Sequence, residues 1–494
     1  MKASTISRVS APQILLAGIL FSVLMGALVV VNPVLGLAPL ALWGAFIIIR
    51  FPAIGLYALF IGVFSLDWLS RVLQILPSAS RYLTDVILAL LLVAAVGRLL
   101  GAKKLPRRTP IDAPVLALML IGVFSAMVNG NPLLLTLAGF RTLFKPLLLF
   151  YIVVNLTWAP RTLRYLIYLL VALELVQIPI MLVQVSLYGG GGDLVTGTFG
   201  YYATGIVTIV TLTIMALLYG QALTQAENRW RAVLYGLLGA SLFIPVILSE
   251  AKAGFLIAPF MLLALFSDSL IRYLARVRTW LILLLFAAVF FAGVQVMPAI
   301  NPRSQLVQFL QSPTRIITDY DRPLDQTNGI PASRLGDLQF AWQLVTASPL
   351  NLVFGFGPAQ SVETTFLGVT GELRQTHDLG IFLGFHQFSR TLLEWGIAGL
   401  FAYLFAIWAV YRAIRSRFKR GAYVGFWRGV AWSFGGVTIL YVLGTYYLPI
   451  WETEATAYLF WVLAASLLIN SKLPQTNAYL VNESKRAVGA SVGA

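Results

Sequence analysis

Cysteine is absent from this 494-residue chain, and histidine occurs only twice. The absence of cysteine excludes disulfide bonds, iron–sulfur clusters held by thiolates, and thiol catalysis such as that of a cysteine-dependent membrane transpeptidase. Charge is scarce as well, because Asp, Glu, Lys and Arg make up 11% of the residues, against about 25% in average soluble proteins. The sequence therefore lacks the polar surface that soluble domains of this total length would need.

Hydrophobic residues make up 59% of the chain. They lie in blocks of roughly 17–25 residues, the length with which a helix crosses a hydrocarbon core. We predict an all-α polytopic membrane protein with about fourteen transmembrane helices and a large, mostly helical periplasmic loop. The predicted spans are residues 13–31, 33–49, 51–66, 84–98, 112–128, 142–157, 165–188, 201–219, 233–249, 253–267, 279–296, 387–411, 429–447 and 457–470.

The formal net charge of +16 indicates membrane topology rather than nucleic-acid binding. The basic residues cluster in short segments between the apolar blocks, on alternate sides, as they do when they set orientation. With the N-terminus in the cytoplasm, 24 of the 35 Lys and Arg residues fall in cytoplasmic segments. We therefore expect both termini in the cytoplasm, with an uncleaved first span. The pair of spans around Arg50-Phe51-Pro52 could instead form one re-entrant hairpin.

This topology divides the chain into four parts. They are transmembrane helices 1–11 in residues 1–296, the periplasmic catalytic loop in 297–385, transmembrane helices 12–14 in 386–470, and a cytoplasmic tail in 471–494. Both histidines, His377 and His386, fall at the end of the periplasmic loop. Histidine is the natural proton carrier near neutral pH, so we expect the chemistry there, although most single histidines are structural.

Several charged residues lie at the periplasmic ends of predicted spans, and Glu174 lies deep within one. The residues at the span ends are Arg141, Lys145, Glu250, Lys252, Arg390 and Glu394. Because a charge inside a bilayer is costly, charges retained near one face predict a polar cavity. The alternative is local compensation, in which Arg390 and Glu394 pair across one helical turn while Arg141 and Lys145 reach the head groups.

The sequence has no HExxH, and its one GxSxG match, residues 489–493, lies in the predicted cytoplasmic tail rather than at the strand-to-helix turn that a serine hydrolase needs. Fixed cations near a histidine fit a different reaction, the displacement of a diphosphate leaving group. Arginine and lysine would hold the anion, and histidine would take a proton from the attacking hydroxyl.

Four segments between about residues 135 and 405 carry a family resemblance. They are 197–202 (GTFGYY), 249–254 (SEAKAG), 334–357 (R…W…P…GFG) and 386–400 (HQ…EWGIAGL). In order and in placement relative to the spans, they resemble the O-antigen ligase and Wzy-type polysaccharide polymerase superfamily of bacterial inner membranes.

The resemblance implies a glycosyltransferase-C-like fold and a metal-independent, inverting glycosyltransferase without a cofactor. The donor would be a glycan on undecaprenyl diphosphate. The acceptor would be a sugar hydroxyl, either of another lipid-linked repeat, as in a polymerase, or of lipid A-core, as in a ligase. The bilayer and other polysaccharide-assembly proteins would be its partners.

The resemblance also implies roles for single residues. His386 would be the general base, and Arg334 and Lys252 would hold the diphosphate. The further substrate-binding residues would be Arg141, Arg390, Glu394 and His377. The chain departs from the family pattern at Lys252, where the family has arginine, and at Gln387, where it has asparagine. His377 is therefore an alternative base.

Two other classes remain open. A lipid or glycan transporter (flippase) can have as many helices, but it has no need for a periplasmic loop of this size. A mannosyltransferase-type enzyme would use an acidic base in the first periplasmic loops, for which Asp67 is the candidate.

The charge distribution generates a topology prediction. A reporter fused near Gly329 should be periplasmic, and one fused near Arg417 should be cytoplasmic, because the basic segments stay on the cytoplasmic side. Paired alkaline phosphatase and fluorescent-protein fusions measure this directly. Opposite locations at both positions would place the histidines in the cytoplasm and remove the basis for periplasmic chemistry.

Overall fold

A computed structural model describes residues 33–159, 161–188, 192–224, 228–266, 277–300, 333–363, 368–376 and 386–471, together with Ser304 and Ser312. Every regular element in these residues is a helix, as predicted. The α-helices are α1 (Pro33–Arg50), α2 (Pro52–Asp67), α3 (Leu83–Gly101), α4 (Asp112–Val128), α5 (Leu133–Asn155), α6 (Thr162–Tyr188), α7 (Thr204–Thr224), α8 (Arg229–Ser241), α9 (Phe243–Leu248), α10 (Lys252–Phe266), α11 (Val277–Ile300), α12 (Arg334–Thr346), α13 (Pro349–Phe354), α14 (Glu372–Thr376), α15 (Gln387–Lys419), α16 (Phe426–Gly444) and α17 (Glu454–Ile469). A π-helical turn (Trp68–Val72) and two 3₁₀ turns (Ser78–Tyr82 and Gly197–Phe199) complete them.

Eight helical segments among the described residues are long and apolar enough to cross a membrane. They are Pro52–Val72, Ser78–Gly101, Leu133–Asn155, Thr162–Tyr188, Thr204–Thr224, Arg229–Leu248, Gln387–Lys419 and Phe426–Gly444. Shorter apolar helices occupy Pro39–Arg50, Asp112–Val128, Lys252–Leu265, Leu284–Gly293 and Glu454–Ile469. This is the composition of a helical membrane protein. The predicted span 13–31 and about half of the loop 297–385 lie outside the described residues, so the count of fourteen stays a prediction.

Helix α7 forms the centre of the bundle, because its side chains are buried almost all the way round. It is apolar on every face, which is what a fully enclosed helix requires. Helices α16, α8 and α10 pack around it. Helix α17 packs on α5, where an aromatic cluster that includes Trp451, Phe460 and Trp461 is almost fully excluded from solvent. The peripheral helices instead expose large apolar side chains such as Leu42 and Phe401, as a lipid-facing surface does.

Hydrogen bonds between helix ends define two ends of the bundle. At one end, the starts of α7, α15 and α17 meet the end of α16, and Gln387 N–H donates to the Leu448 carbonyl (3.2 Å). We call this the histidine end, because His386 lies there. At the opposite end, Arg98 donates to the Arg50 carbonyl (3.2 Å), and Gln221 donates to the Phe426 carbonyl (2.8 Å). The helices from α1 to α7 therefore alternate in direction.

Helix α15 is broken at Gly396, whose backbone has φ 65° and ψ −169°. This conformation favours glycine, and a Cβ there would also collide with the Val353 carbonyl group. The break leaves carbonyls without their helical partners. The loop after α13 supplies donors for two of these carbonyls. Phe356 N–H donates to the Leu393 carbonyl (2.7 Å), and Gly357 N–H donates to the Glu394 carbonyl (3.0 Å). The predicted span 387–411 is thus two helical pieces joined at a kink.

Candidate functional site

His386 caps the start of α15 and is fully buried. The Ser389 N–H donates to His386 Nδ1 (3.2 Å), and Nε2 lies 3.1 Å from the Arg334 carbonyl oxygen. Because Nδ1 accepts a hydrogen bond, the neutral ring carries its hydrogen on Nε2, and this N–H donates to the Arg334 carbonyl. Both ring nitrogens are therefore occupied. The ring face lies against Tyr446, with 5.1 Å between centroids.

Asp337 joins this cluster from the first turn of α12. Its carboxylate lies 3.5 Å from His386 Nε2 and accepts a hydrogen bond from the Ser389 hydroxyl. All three side chains are buried. Serine, histidine and aspartate thus come together here, but the serine hydroxyl donates to the aspartate rather than to the histidine. The arrangement holds α12 against α15, and it is not that of a nucleophilic triad.

Burial lowers the pKa of His386 to about 4 from its ordinary value of 6.5. The positive charges of Arg334 and Arg390 lower this pKa further, while the hydrogen bond to the Arg334 carbonyl raises it. His386 is therefore neutral at neutral pH. A neutral ring is the form that a general base needs, although neither nitrogen has a free lone pair in this geometry.

Arg334 lies between this cluster and the end of α16. Its Nε donates to the Tyr447 carbonyl (3.2 Å), and its guanidinium carbon lies 4.6 Å from the centre of the Tyr447 ring. Lys252 opens α10 at the same end of the bundle, because a Cβ on Gly254 would touch Thr208 near the start of α7. The two predicted diphosphate ligands thus share the histidine end. His377 lies outside the described residues.

Arg390 pairs with a carboxylate on another segment. Its Nη1 donates to Glu452 Oε2 (2.7 Å), and Gln387 Nε2 donates to the other oxygen of the same carboxylate (3.0 Å). Gln387 Oε1 also accepts a hydrogen bond from the Trp451 N–H (3.0 Å). These contacts fix the segment before α17 against the start of α15, and they make Arg390 part of the frame of the site.

Glu394 holds a loop. Its carboxylate accepts hydrogen bonds from the Ala359 N–H (2.9 Å) and from the Ser361 hydroxyl (2.6 Å), and its side chain is buried. This carboxylate therefore orders the chain after the Gly355–Gly357 turn. Its contacts position other groups, whereas the sequence predicts that Glu394 binds substrate.

Arg141 and Lys145 lie on one face of α5 and pair with carboxylates. Asp85 accepts contacts from both cations, and Lys145 also pairs with Glu454 at the start of α17. The Lys145 side chain is almost fully buried. The alternative in which these two residues reach the head groups does not describe their contacts, because both form ion pairs inside the protein, which lower the cost of a charge in apolar surroundings.

An open cavity of about 260 Å³ lies beside these pairs. We call it the polar cavity. Its charged and hydroxyl-bearing walls come from Asp67, Arg81, Tyr82, Thr84, Arg141, Thr453 and Glu454. Arg81 forms no ion pair with any described residue, whereas Asp67, whose side chain is about one-third exposed, pairs with Arg71 (3.1 Å). The segment 451–455 connects the polar cavity to His386, because Thr453 and Glu454 line the polar cavity and Trp451 and Glu452 hydrogen-bond to Gln387, the neighbour of His386.

An apolar groove of about 350 Å³ lies next to the polar cavity. Trp68, Val72, Leu73, Ile180, Val183 and Leu187 form most of its walls. Asp67 lines the cavity and Trp68 lines the groove, so one turn at the end of α2 separates the two. This juxtaposition suits a ligand with a charged part and a hydrocarbon part.

Sequence reasoning did not single out the acidic partners Asp85, Asp337, Glu452 and Glu454, nor Arg81. A signal was present, because Asp85, Glu452 and Glu454 lie at the same predicted ends of spans as Arg141, Lys145 and Arg390. Opposite charges at one depth of a membrane protein predict pairing. No protein-family model matches the chain, and no curated protein matches it.

The lowered pKa of His386 predicts a pH dependence of stability. The unfolded chain binds a proton at this histidine near pH 6.5, whereas the folded protein binds it only near pH 4. The histidine therefore costs no free energy of unfolding above pH 6.5, and the free energy of unfolding falls as the pH falls from 6.5 toward 4. His386→Gln keeps an acceptor and a donor but does not titrate. The melting temperature in detergent should therefore fall more steeply between pH 6.5 and 4 for the native protein. Parallel slopes would contradict the assignment.

Proposed function

We propose that this chain is a metal-independent, inverting glycosyltransferase of the bacterial inner membrane. It has fourteen spans in a glycosyltransferase-C-like arrangement, with both termini in the cytoplasm and the histidine end in the periplasm. It transfers a glycan from a polyprenyl-diphosphate donor to a sugar hydroxyl, as a polysaccharide polymerase or an O-antigen ligase does. The sequence resemblance motivates the class, and one structural observation supports it.

That observation is the polar cavity beside the apolar groove. A polyprenyl-diphosphate glycan has an anionic centre attached to a long hydrocarbon chain. Arg81 and Arg141 face the cavity, where guanidinium groups can contact phosphate oxygens in pairs. The apolar groove can take the first part of the hydrocarbon chain. Arg334 and Lys252 add positive charge at the same end of the bundle.

The reaction breaks the bond between the anomeric carbon and the diphosphate oxygen, and a new bond forms to the acceptor oxygen. The leaving polyprenyl diphosphate keeps the electron pair, and the cations stabilise its charge. The acceptor hydroxyl loses its proton to a base. If His386 is this base, Nδ1, which carries the lone pair, has to be released from the Ser389 N–H, so the start of α15 shifts when substrate binds.

Asp67 favours a second candidate function, a lipid-linked sugar transferase with an acidic base. Its carboxylate already faces the polar cavity and is about one-third exposed. It needs no rearrangement to reach a hydroxyl held there. The two candidates share the class of donor and differ in the group that accepts the proton.

The donor class is tested by deleting the gene and analysing lipid-linked glycans by mass spectrometry. We expect a polyprenyl-diphosphate glycan to accumulate in the periplasmic leaflet, because transfer from it is blocked. Accumulation in the cytoplasmic leaflet would instead indicate a transporter.

The anion site is tested by complementing that deletion with Arg81→Gln and Arg334→Ala. Each should lower transfer by about tenfold to several hundredfold, since each removes a charge-assisted contact to phosphate. Arg374→Gln serves as a control at the same end, because Arg374 does not line the polar cavity and, unlike Arg334, is not hydrogen-bonded to His386. Full activity of both the Arg81 and the Arg334 variant would show that the diphosphate is held elsewhere.

The base is tested by comparing His386→Gln with Asp67→Asn. Loss of a general base lowers turnover by about 10²–10⁴-fold while donor binding changes little. We expect this loss for His386→Gln and a small effect for Asp67→Asn, with insertion checked by protease protection. The reverse result would assign the reaction to the acidic-base class.

A further inference from the structure

A second apolar groove lies at the other end of the bundle, far from the histidine end. It has a volume of about 220 Å³ and is formed by α6, α7, α8 and the start of α16. We call it the opposite groove. Its aliphatic walls come from Ile167, Val171, Leu175, Leu217, Leu218 and Leu238. Its width and chemistry match a hydrocarbon chain rather than a polar solute.

Aromatic side chains line the part of the opposite groove nearest the helix ends. Tyr168, Tyr235 and Phe426 lie there, within about two turns of the starts of α6, α8 and α16. The Tyr168 and Phe426 rings make an edge-to-face contact with 5.4 Å between centroids. Tyrosine at such a depth has its ring beside hydrocarbon and its hydroxyl near the head groups.

Two cations lie at the same place. The guanidinium carbon of Arg164 is 5.3 Å from the centre of the Phe426 ring, and both Arg164 and Arg231 interact electrostatically with Tyr235. Neither arginine forms an ion pair with any residue that the structure describes. Their charges are therefore not neutralised within that part of the chain.

Two polar atoms beside the opposite groove also lack partners. Arg164 Nε and Gln221 Oε1 are both buried and have no hydrogen-bond partner in the described ranges. The Gln221 side chain is 3% exposed and lines the groove. Buried polar atoms are normally satisfied. Arg164 Nε is a donor that a phosphate oxygen can satisfy, whereas Gln221 Oε1 is an acceptor that needs a donor such as a hydroxyl of the head group.

We propose that the opposite groove binds an anionic phospholipid, with an acyl chain along its aliphatic walls and the phosphate between Arg164 and Arg231. The two positive charges favour an anionic lipid, since the positively charged group of a zwitterionic head group would lie close to the two arginines and be repelled by them. The groove selects a lipid over a free anion. This site is independent of the proposed glycan transfer, and it requires only that the bundle lies in a bilayer.

The experiment measures the melting temperature of the full-length protein in detergent during titration with lipid. Phosphatidylglycerol should raise it at lower concentration than phosphatidylcholine with the same acyl chains, because a ligand that binds the folded state stabilises it. Glycerol phosphate, which has the charge without the chains, should give no shift. An equal response to both phospholipids, or a response to glycerol phosphate as large as to phosphatidylglycerol, would overturn the proposal.

Two variants locate the effect, each with a matched control. Arg164→Gln should weaken the response to phosphatidylglycerol by about fivefold to tenfold, whereas Arg412→Gln should not, although Arg412 also lies over a ring (Trp408, 5.0 Å). Ala172→Phe fills the groove from its exposed side and should weaken binding of phosphatidylglycerol similarly. Val176→Phe, one turn further along α6, should leave it unchanged. Equal effects within either pair would overturn the proposal, because the response would then come from general surface charge or from perturbation of the helix and not from the opposite groove.

Discussion

Polar backbone groups inside an apolar bundle must find partners within the protein. The break in α15 at Gly396 meets this requirement with a loop that also positions the neighbouring helices. Carbonyls freed by the break are satisfied by the N–H groups of Phe356 and Gly357. The Glu394 carboxylate then binds the next turn of the same loop. This places α12 and α13 against the first part of α15, and α12 supplies both Asp337 and the Arg334 carbonyl to His386. The position of His386 thus depends on the break in α15 at Gly396.

Charge is compensated in two ways. At the histidine end, Arg141, Lys145 and Arg390 are matched by carboxylates on other segments, although Arg334 there lies over the Tyr447 ring. At the opposite end, Arg164 and Arg412 lie over aromatic rings. An ion pair fixes the relative position of two helices, whereas an arginine stacked on a ring keeps its hydrogen-bond donors available to other groups. The first arrangement produces a rigid polar frame around a cavity, and the second leaves positive charge for the head-group region.

The apolar blocks predicted the helices well, because the length and hydropathy of a membrane helix are local properties of the sequence. Arg141, Lys145 and Arg390, which the sequence analysis placed at the periplasmic ends of predicted spans, lie at one end of the bundle. Their partners were not predictable. Arg390 could pair with Glu394 by spacing, but its partner Glu452 comes from a distant segment. Gly396 lies in an apolar run and gives no local sign of a break, since the cause is the approach of Val353.

The contact between Lys145 and Glu454 joins residues 309 positions apart. Lys145 lies on α5, and its second partner belongs to α17, so this pair forms only after nearly the whole described chain has been synthesised. Until then the ammonium group has Asp85 alone, and Glu454 has not yet entered the membrane region. The pair can therefore form only late in biogenesis, and a nascent chain that stops before α17 leaves the buried Lys145 with Asp85 as its one carboxylate partner among the described residues.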